Sequence, residues 1–408
     1  MVGRDQDETH RAATPLELLF DLVFVISFGV AGSEFAHFLA EGYYADGLIG
    51  FGFSMFAVVW AWINFTWFAS AYDTDDWLYR LLVMVMMVGV VVLALGIPAM
   101  FASVHAGGDF DGRAMILGYV VMRVPMIAMW ARAGRGRPER RRTAQTYVRA
   151  LVVAQVLWTI SAFVDLAPAQ YLLAALVLAA IELTGPVLAE RREGGTPWHS
   201  HHIAERYGLL AIITLGEILI GTVAALAAVI ETQGWSVDVA VIAVGGVGLT
   251  FFLWWIYFMP PTGEVLHAER EKSFVWGYLH IAVYASIAAV GAGLHVAALA
   301  LEHEAHISDV AVVWTLAVPV LAFFGLVSLL YAYLLGTDRL NWPSTLVKVV
   351  VVLASVGMAA AGISLAWCIA VIAVAPALSV LTLEAGLVGP RQDDAGRSAR
   401  DAAPTSPR

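Results

Sequence analysis

A chain of 408 residues with 60% hydrophobic and 14% charged residues carries more apolar surface than a water-soluble core can hide, since ordinary soluble domains run at about 45–50% apolar and about 25% charged. Its mean hydropathy is +0.77, and a net charge of -10 says little where basic and acidic residues occupy opposite sides of a bilayer. Lipid offers no partner to a backbone N–H or C=O, so spanning segments are helices or closed barrel strands. The apolar runs here are about 20 residues long and do not alternate, which selects helices and an all-α fold.

Residues 1–15 read as a polar cytoplasmic segment. Thr14, Pro15 and Glu17 then fit the N-cap, N1 and N3 positions of a capping box with proline in the first turn. They open an apolar run at 16–40, read as an uncleaved first span because no convincing cleavage site follows. Runs at 47–70, 78–101, 113–131, 145–165 and 169–189 complete a first group of six. Runs at 203–230, 237–259, 273–299, 310–335, 344–362 and 364–386 form a second. Only Gly362 and its small neighbours separate the last two, but the stretch from Ser344 to Val388 is too long for one span. The expected organisation is a polytopic protein of about twelve transmembrane helices: a first six-helix repeat at 16–190, a cytoplasmic linker at 191–202 and a second repeat at 203–388. The remainder, 389–408, is rich in Asp, Arg, Ser, Ala and Pro and reads as a disordered cytoplasmic tail.

Orientation follows from the excess of Lys and Arg in cytoplasmic loops. The connection after the fourth run carries Arg132, Arg135, Arg137, Arg140, Arg141 and Arg142, and the one after the sixth carries Arg191 and Arg192. Arg270, Lys272, Arg339 and the tail arginines Arg391, Arg397, Arg400 and Arg408 fall on the same side if twelve spans alternate. The opposite connections contain no Lys or Arg except Arg113 at the edge of one. Both termini are therefore expected in the cytoplasm. The basic loop after the fourth span sets this topology and contacts anionic lipid, with no nucleic-acid partner expected.

The second half echoes the first in order and spacing. Trp62-Ile63-Asn64-Phe65 resembles Trp255-Ile256-Tyr257-Phe258, and Arg123-Val124-Pro125 resembles Ala317-Val318-Pro319. Six helices per half would make the repeats parallel, related by an axis along the membrane normal, a plan common among transporters. Three motifs in combination carry a further likeness: TPLELLFDLVFV from Thr14 to Val25, YDTDDWLYR from Tyr72 to Arg80, and HHIAERYGLLAIITLGE from His201 to Glu217. With these the chain resembles the bacterial low temperature requirement A family, from about residue 10 to 388. The resemblance implies a multi-pass plasma-membrane protein associated with growth at low temperature and leaves its chemistry undefined.

Four ionisable residues within the apolar runs are the main candidates for a polar path or an ion or proton site: Asp21, Arg123, Glu182 and Glu217. Asp21 lies one turn beyond Glu17 on the same face and is not needed as a cap. Arg123, near the middle of the fourth run, costs about 2.5–3.5 kcal/mol there on insertion scales and needs a partner, with Glu182, Glu217 and Asp21 available. Glu217 is flanked by Gly216 and Gly221, which admit a neighbouring backbone. Glu182 precedes Gly185 and Pro186, where a break in the helix would free carbonyls. Each acid is equally readable as a satisfied structural group.

At the entrance to the seventh run, His199, His201, His202 and Glu205 cluster, with His201 and Glu205 at i, i+4 spacing that could bind zinc. The plainer reading makes Glu205 serve the helix N-terminus while Arg206 snorkels to water. His280 reads as a neutral histidine bonded to a neighbouring helix or as a pH-sensitive group. Asp73, Asp75 and Asp76 lack EF-hand spacing and suggest a gate or surface network with Arg80 or the basic loops. Cys368 is the one cysteine, which excludes an intrachain disulfide and argues against a Cys-based metal site.

No Walker A loop, G-x-S-x-G elbow or H-E-x-x-H motif is present, so ATP-driven transport and several enzyme classes lose support, and no cofactor is expected. Three functions stay open: a proton- or ion-coupled secondary transporter of a small solute, a non-transporting membrane sensor or scaffold in cold adaptation, and an integral-membrane enzyme using the His199 to Glu205 cluster.

Overall fold

The computed structural model describes residues 3–4, 8, 11–107, 110–136, 138–164, 166, 168–192, 195–336 and 342–384. The expected disordered tail at 389–408, along with Arg137 and Arg339, lies outside the described residues. Among the described residues there are helices and no strands. The first six are α1 (Pro15–Ala40), α2 (Tyr44–Tyr72), α3 (Trp77–Ala106), α4 (Arg113–Gly136), α5 (Arg141–Ser161) and α6 (Pro168–Glu190). Then come α7 (Ser200–Gln233), α8 (Val237–Phe258), a short α9 (Thr262–Ala268), α10 (Ser273–Leu301), α11 (Asp309–Leu335), α12 (Trp342–Ala360) and α13 (Leu365–Glu384).

Twelve long helices thus stand at the twelve apolar runs, and α9 is an addition that the sequence reading lacks. Pro260 and Pro261 cannot continue α8, so the chain stops there and restarts as a single turn or two at α9. Among the described residues, ten helical stretches are long and apolar enough to cross a membrane, which makes the chain a multi-pass helical membrane protein. α5 falls short because Arg141, Arg142, Gln145, Arg149 and Gln155 interrupt it, and α12 because its described apolar stretch is only Thr345–Ala360.

Helix ends follow local chemistry. Thr14 and Glu17 close a reciprocal capping box at α1, the Thr14 N–H donating to Glu17 at 2.8 Å and the Glu17 N–H to Thr14 Oγ1 at 3.3 Å. Asp76 caps α3 by accepting from the Tyr79 N–H, and Ser308 caps α11 through Ala311. Gly107 and Gly336 end α3 and α11 in the left-handed conformation at φ 65° and 62°.

The chain divides into two compact units, Met1–Glu34 with Ala45–Tyr207, and Phe35–Tyr44 with Gly208–Arg408. In the first, α2 is buried round most of its circumference, with Trp60, Trp62, Phe65 and Phe68 at most 1% exposed. α3 and α4 come close because Gly89 and Gly118 meet: a Cβ on Gly118 would sit 2.6 Å from Leu93 N and 2.7 Å from Gly89 O. α4 joins α5 through the stacked rings of Trp130 and Tyr147, 3.9 Å apart. α5 joins α6 through Gly185 against Ala150 and a 2.8 Å hydrogen bond from Tyr147 to Glu190.

In the second unit, α10 is the deeply buried helix and packs on α11. Gly293 allows that approach, since a Cβ there would lie 2.7 Å from Thr315 O. α8 packs on α13, and α13 on α12. Ala225, Val229, Val239, Ile242, Ala298 and Ala366 form a small-residue core between α7, α8, α10 and α13.

Candidate functional site

Within the first unit, α1, α2 and the opening turns of α7 each contribute two polar side chains one turn apart. α1 presents Glu17 and Asp21, α2 presents Trp62 and Thr66, and α7 presents His202 and Arg206. The i, i+4 spacing stacks each pair on one helical face, and the three faces meet around the Arg206 guanidinium. Arg206 Nη2 lies 2.5 Å from Asp21 Oδ1, Nε 3.2 Å from Asp21 Oδ2, and Nη1 2.9 Å from Glu17 Oε1. Nη2 also reaches Thr66 Oγ1 at 3.4 Å.

The Trp62 indole N–H donates to Asp21 at 2.7 Å, and His202 Nε2 lies 3.2 Å from Glu17 Oε2. Facing a carboxylate that can only accept, Nε2 must carry the proton. The Trp62 and Phe65 rings flank the guanidinium at 5.8 and 6.0 Å. The segment before α1 lays Arg11 over the cluster, its Nη2 donating to Ala69 O at 2.8 Å and standing 3.8 Å from Glu17.

The side chains of Glu17, His202 and Arg206 have no exposure, and that of Asp21 has 1%. Two arginines balance two carboxylates in a dry core. Removing four charges from water is costly, and the arrangement offsets it through short ion pairs and through the hydrogen bonds that converge on Asp21. The expectation that Arg206 snorkels to water is therefore corrected: two carboxylates one turn apart on α1 hold it inside. Complementary i, i+4 pairs at 17/21 and 202/206 are the sequence signal for this, and the terminal position of Arg206 in its helix obscured it.

A second buried pair lies elsewhere in the same unit. Arg123 of α4 donates through Nη2 to both Glu182 oxygens at 2.8 and 2.7 Å, and the Trp60 indole of α2 donates to Glu182 at 3.0 Å. Tyr119 stands 5.3 Å below the Arg123 guanidinium and donates its hydroxyl to Ala57 O. Pro186 supplies no N–H to the Glu182 carbonyl one turn back. Asn64, Tyr147, Glu182 and Pro186 line a small cavity beside it.

Asp21 is thus committed to Arg206, and Arg123 to Glu182. Glu217 belongs to the second unit. It is 7% exposed and makes no hydrogen bond or ion pair among the described residues. Its backbone lies against α10, where a Cβ on Gly291 would come 2.6 Å from Glu217 O.

The remaining candidates are held in local pairings. Asp76 receives both Arg132 Nη groups, at 3.0 and 2.5 Å, and these bonds together with the Tyr79 N–H hold its carboxyl well below the usual carboxylate range. Asp75, in a left-handed turn at φ 46°, is bridged by Arg80 at 2.8 and 2.7 Å, which also lowers it. Burial pushes Asp73 up, reinforced by the charge of Glu17. His280 donates from Nδ1 to Trp276 O at 2.7 Å, which leaves Nε2 to accept from Tyr257 at 2.9 Å.

His199, His201, His202 and Glu205 do not share a centre. His199 Nε2 meets Glu8 O at 2.8 Å, His202 faces Glu17, and Glu205 accepts from the Ala13 N–H. No three His, Cys, Asp or Glu side chains gather as a metal site among the described residues.

The family model for the bacterial low temperature requirement A protein (LtrA) matches residues 12–378, a span that contains both buried ion-pair groups apart from Arg11. An uncharacterized protein of Rhizobium meliloti (strain 1021) is 25% identical over 308 residues, covering 71% of this chain and 70% of that protein.

Proposed function

Because the chain belongs to the bacterial low temperature requirement A (LtrA) family, and because one of its membrane-buried carboxylates has no counter-charge, we propose that it is a proton-coupled secondary transporter of a small solute in the plasma membrane. In this reading twelve spans form two parallel six-helix repeats with both termini in the cytoplasm. Several features support the duplication. Each unit has a helix, α3 or α10, joined through glycine to a proline-containing partner, α4 or α11. Each also ends in a packed hairpin, α5–α6 or α12–α13.

The observation that carries the transport reading is the solitary state of Glu217. A carboxylate locked to arginine must break a buried pair before it can exchange a proton, at about 3–5 kcal/mol when one partner is lost. Glu217 has no such pair to break. Asp21, Glu182 and their arginines then serve as the fixed frame, and Glu217 as the group that gains and loses the proton.

The test is flux into proteoliposomes loaded with a pH-sensitive dye, under an imposed proton gradient and with a broad solute panel. Wild-type protein should acidify the lumen in a solute-dependent way, and Glu217→Gln should abolish this while remaining monodisperse and helical. Solute-independent or absent flux in the wild type would end the transport reading. A membrane sensor or scaffold would then stand, and the closed pairing of the charges around Arg206 and Arg123 favours that second reading.

A further inference from the structure

α5 and α6 together form a surface rich in arginine. Tyr147 and Glu190 pin the start of α5 to the end of α6. Close to these two residues in the chain, Arg141, Arg142, Arg149, Arg191 and Arg192 are all exposed. None of the five meets a carboxylate within ion-pairing distance among the described residues, whereas nearby Arg132 is taken by Asp76 and Arg140 reaches Gly195 O. Glu190 is already engaged, accepting from Tyr147, from the Thr196 N–H and from Thr196 Oγ1. Arg141 and Arg142 also occupy the helix end whose field disfavours cations.

Position on the helix identifies what would neutralise these charges. Arg142 and Arg149 are two turns apart on one face, and the same face continues as Val153, Val156 and Ile160, which are 51%, 51% and 53% exposed. In a bilayer that apolar continuation faces acyl chains. Arg149 therefore stands about 10 Å along the helix from Arg142, at the junction of hydrocarbon and headgroup. A long cationic side chain there reaches back toward the phosphate level.

We infer that the α5–α6 end is a binding site for an anionic phospholipid, whose headgroup is held by Arg142, Arg149 and Arg192 while its chains lie along Val153, Val156 and Ile160. A free phosphate would lack the chains that this face accommodates.

The experiment is native mass spectrometry of the detergent-solubilised full chain, titrated with phosphatidylglycerol or with phosphatidylcholine of the same acyl composition. Phosphatidylglycerol should be retained in preference, and millimolar inorganic phosphate should not displace it. An arginine near an anionic surface is worth roughly a fivefold change in affinity. The triple variant Arg142→Gln/Arg149→Gln/Arg192→Gln should therefore bind the lipid roughly a hundredfold more weakly. Removing as many charges elsewhere, with Arg80→Gln/Arg113→Gln/Arg270→Gln, should leave binding within a few fold. A triple lysine variant at 142, 149 and 192 should retain it and guards against misfolding of the glutamine variant. Equal retention of both lipids, displacement by phosphate, equal losses in the two glutamine variants, or a loss in the lysine variant as deep as in its glutamine counterpart would each overturn the site.

Discussion

Arg206 shows how a single guanidinium can be carried inside a membrane protein without exposure. Its planar fork spans two carboxylates one turn apart, and the Trp62 and Phe65 rings lie beside it. Removing it would strand Glu17 and Asp21 in a dry core. Arg206→Ala should therefore lower the stability of the detergent-solubilised protein by about 3–5 kcal/mol, read as a fall in thermal midpoint. Adding Asp21→Asn to that variant should restore part of the loss, because it withdraws one stranded charge, and a further fall instead would show that the pair is not coupled. At this scale the sequence was only half legible. The rarity of acids in apolar runs made Asp21 visible as an inward-facing group, while Glu17 read as the N3 residue of a capping box. Their partner was not visible, because an arginine six residues into α7 reads equally well as a snorkelling side chain.

At the scale of elements, length and hydropathy located all twelve long helices to within a few residues, since a membrane admits little else. What those patterns do not encode is which helix touches which. The choice of Glu182 for Arg123 depends on α6 packing beside α4 and α2, and no periodicity in either segment states it. Glycine gives a partial clue, because only a missing side chain permits the α3–α4 approach. Gly118→Ala would push a methyl to 2.6 Å from Leu93 N and 2.7 Å from Gly89 O. It should destabilise the protein by about 1–3 kcal/mol in a thermal or denaturant titration. Gly52→Ala in α2, where a Cβ has nothing within 4 Å, should be neutral or gain up to about 1 kcal/mol from helix propensity. Similar losses at both positions would mean that close approach does not control this contact.

For the molecule as a whole, composition settled the solvent and arginine placement gave a direction to test. Cys368 is the one cysteine and is buried, so single exposed cysteines can be introduced against a quiet background. Arg192→Cys and Glu271→Cys should react with an impermeant maleimide only in inverted vesicles, and Glu304→Cys only in intact cells. Labelling of all three from one side would refute both the alternation of spans and the cytoplasmic termini.

The salt bridges around Arg206 also fix an order of events during synthesis. Asp21 emerges 185 residues ahead of its partner, a lag of roughly 10–40 s at ordinary rates of about 5–20 residues per second. Through that interval the nascent first helix carries two acids with only Arg11 to answer them. Arg206 can neutralise them only once the seventh helix has been made.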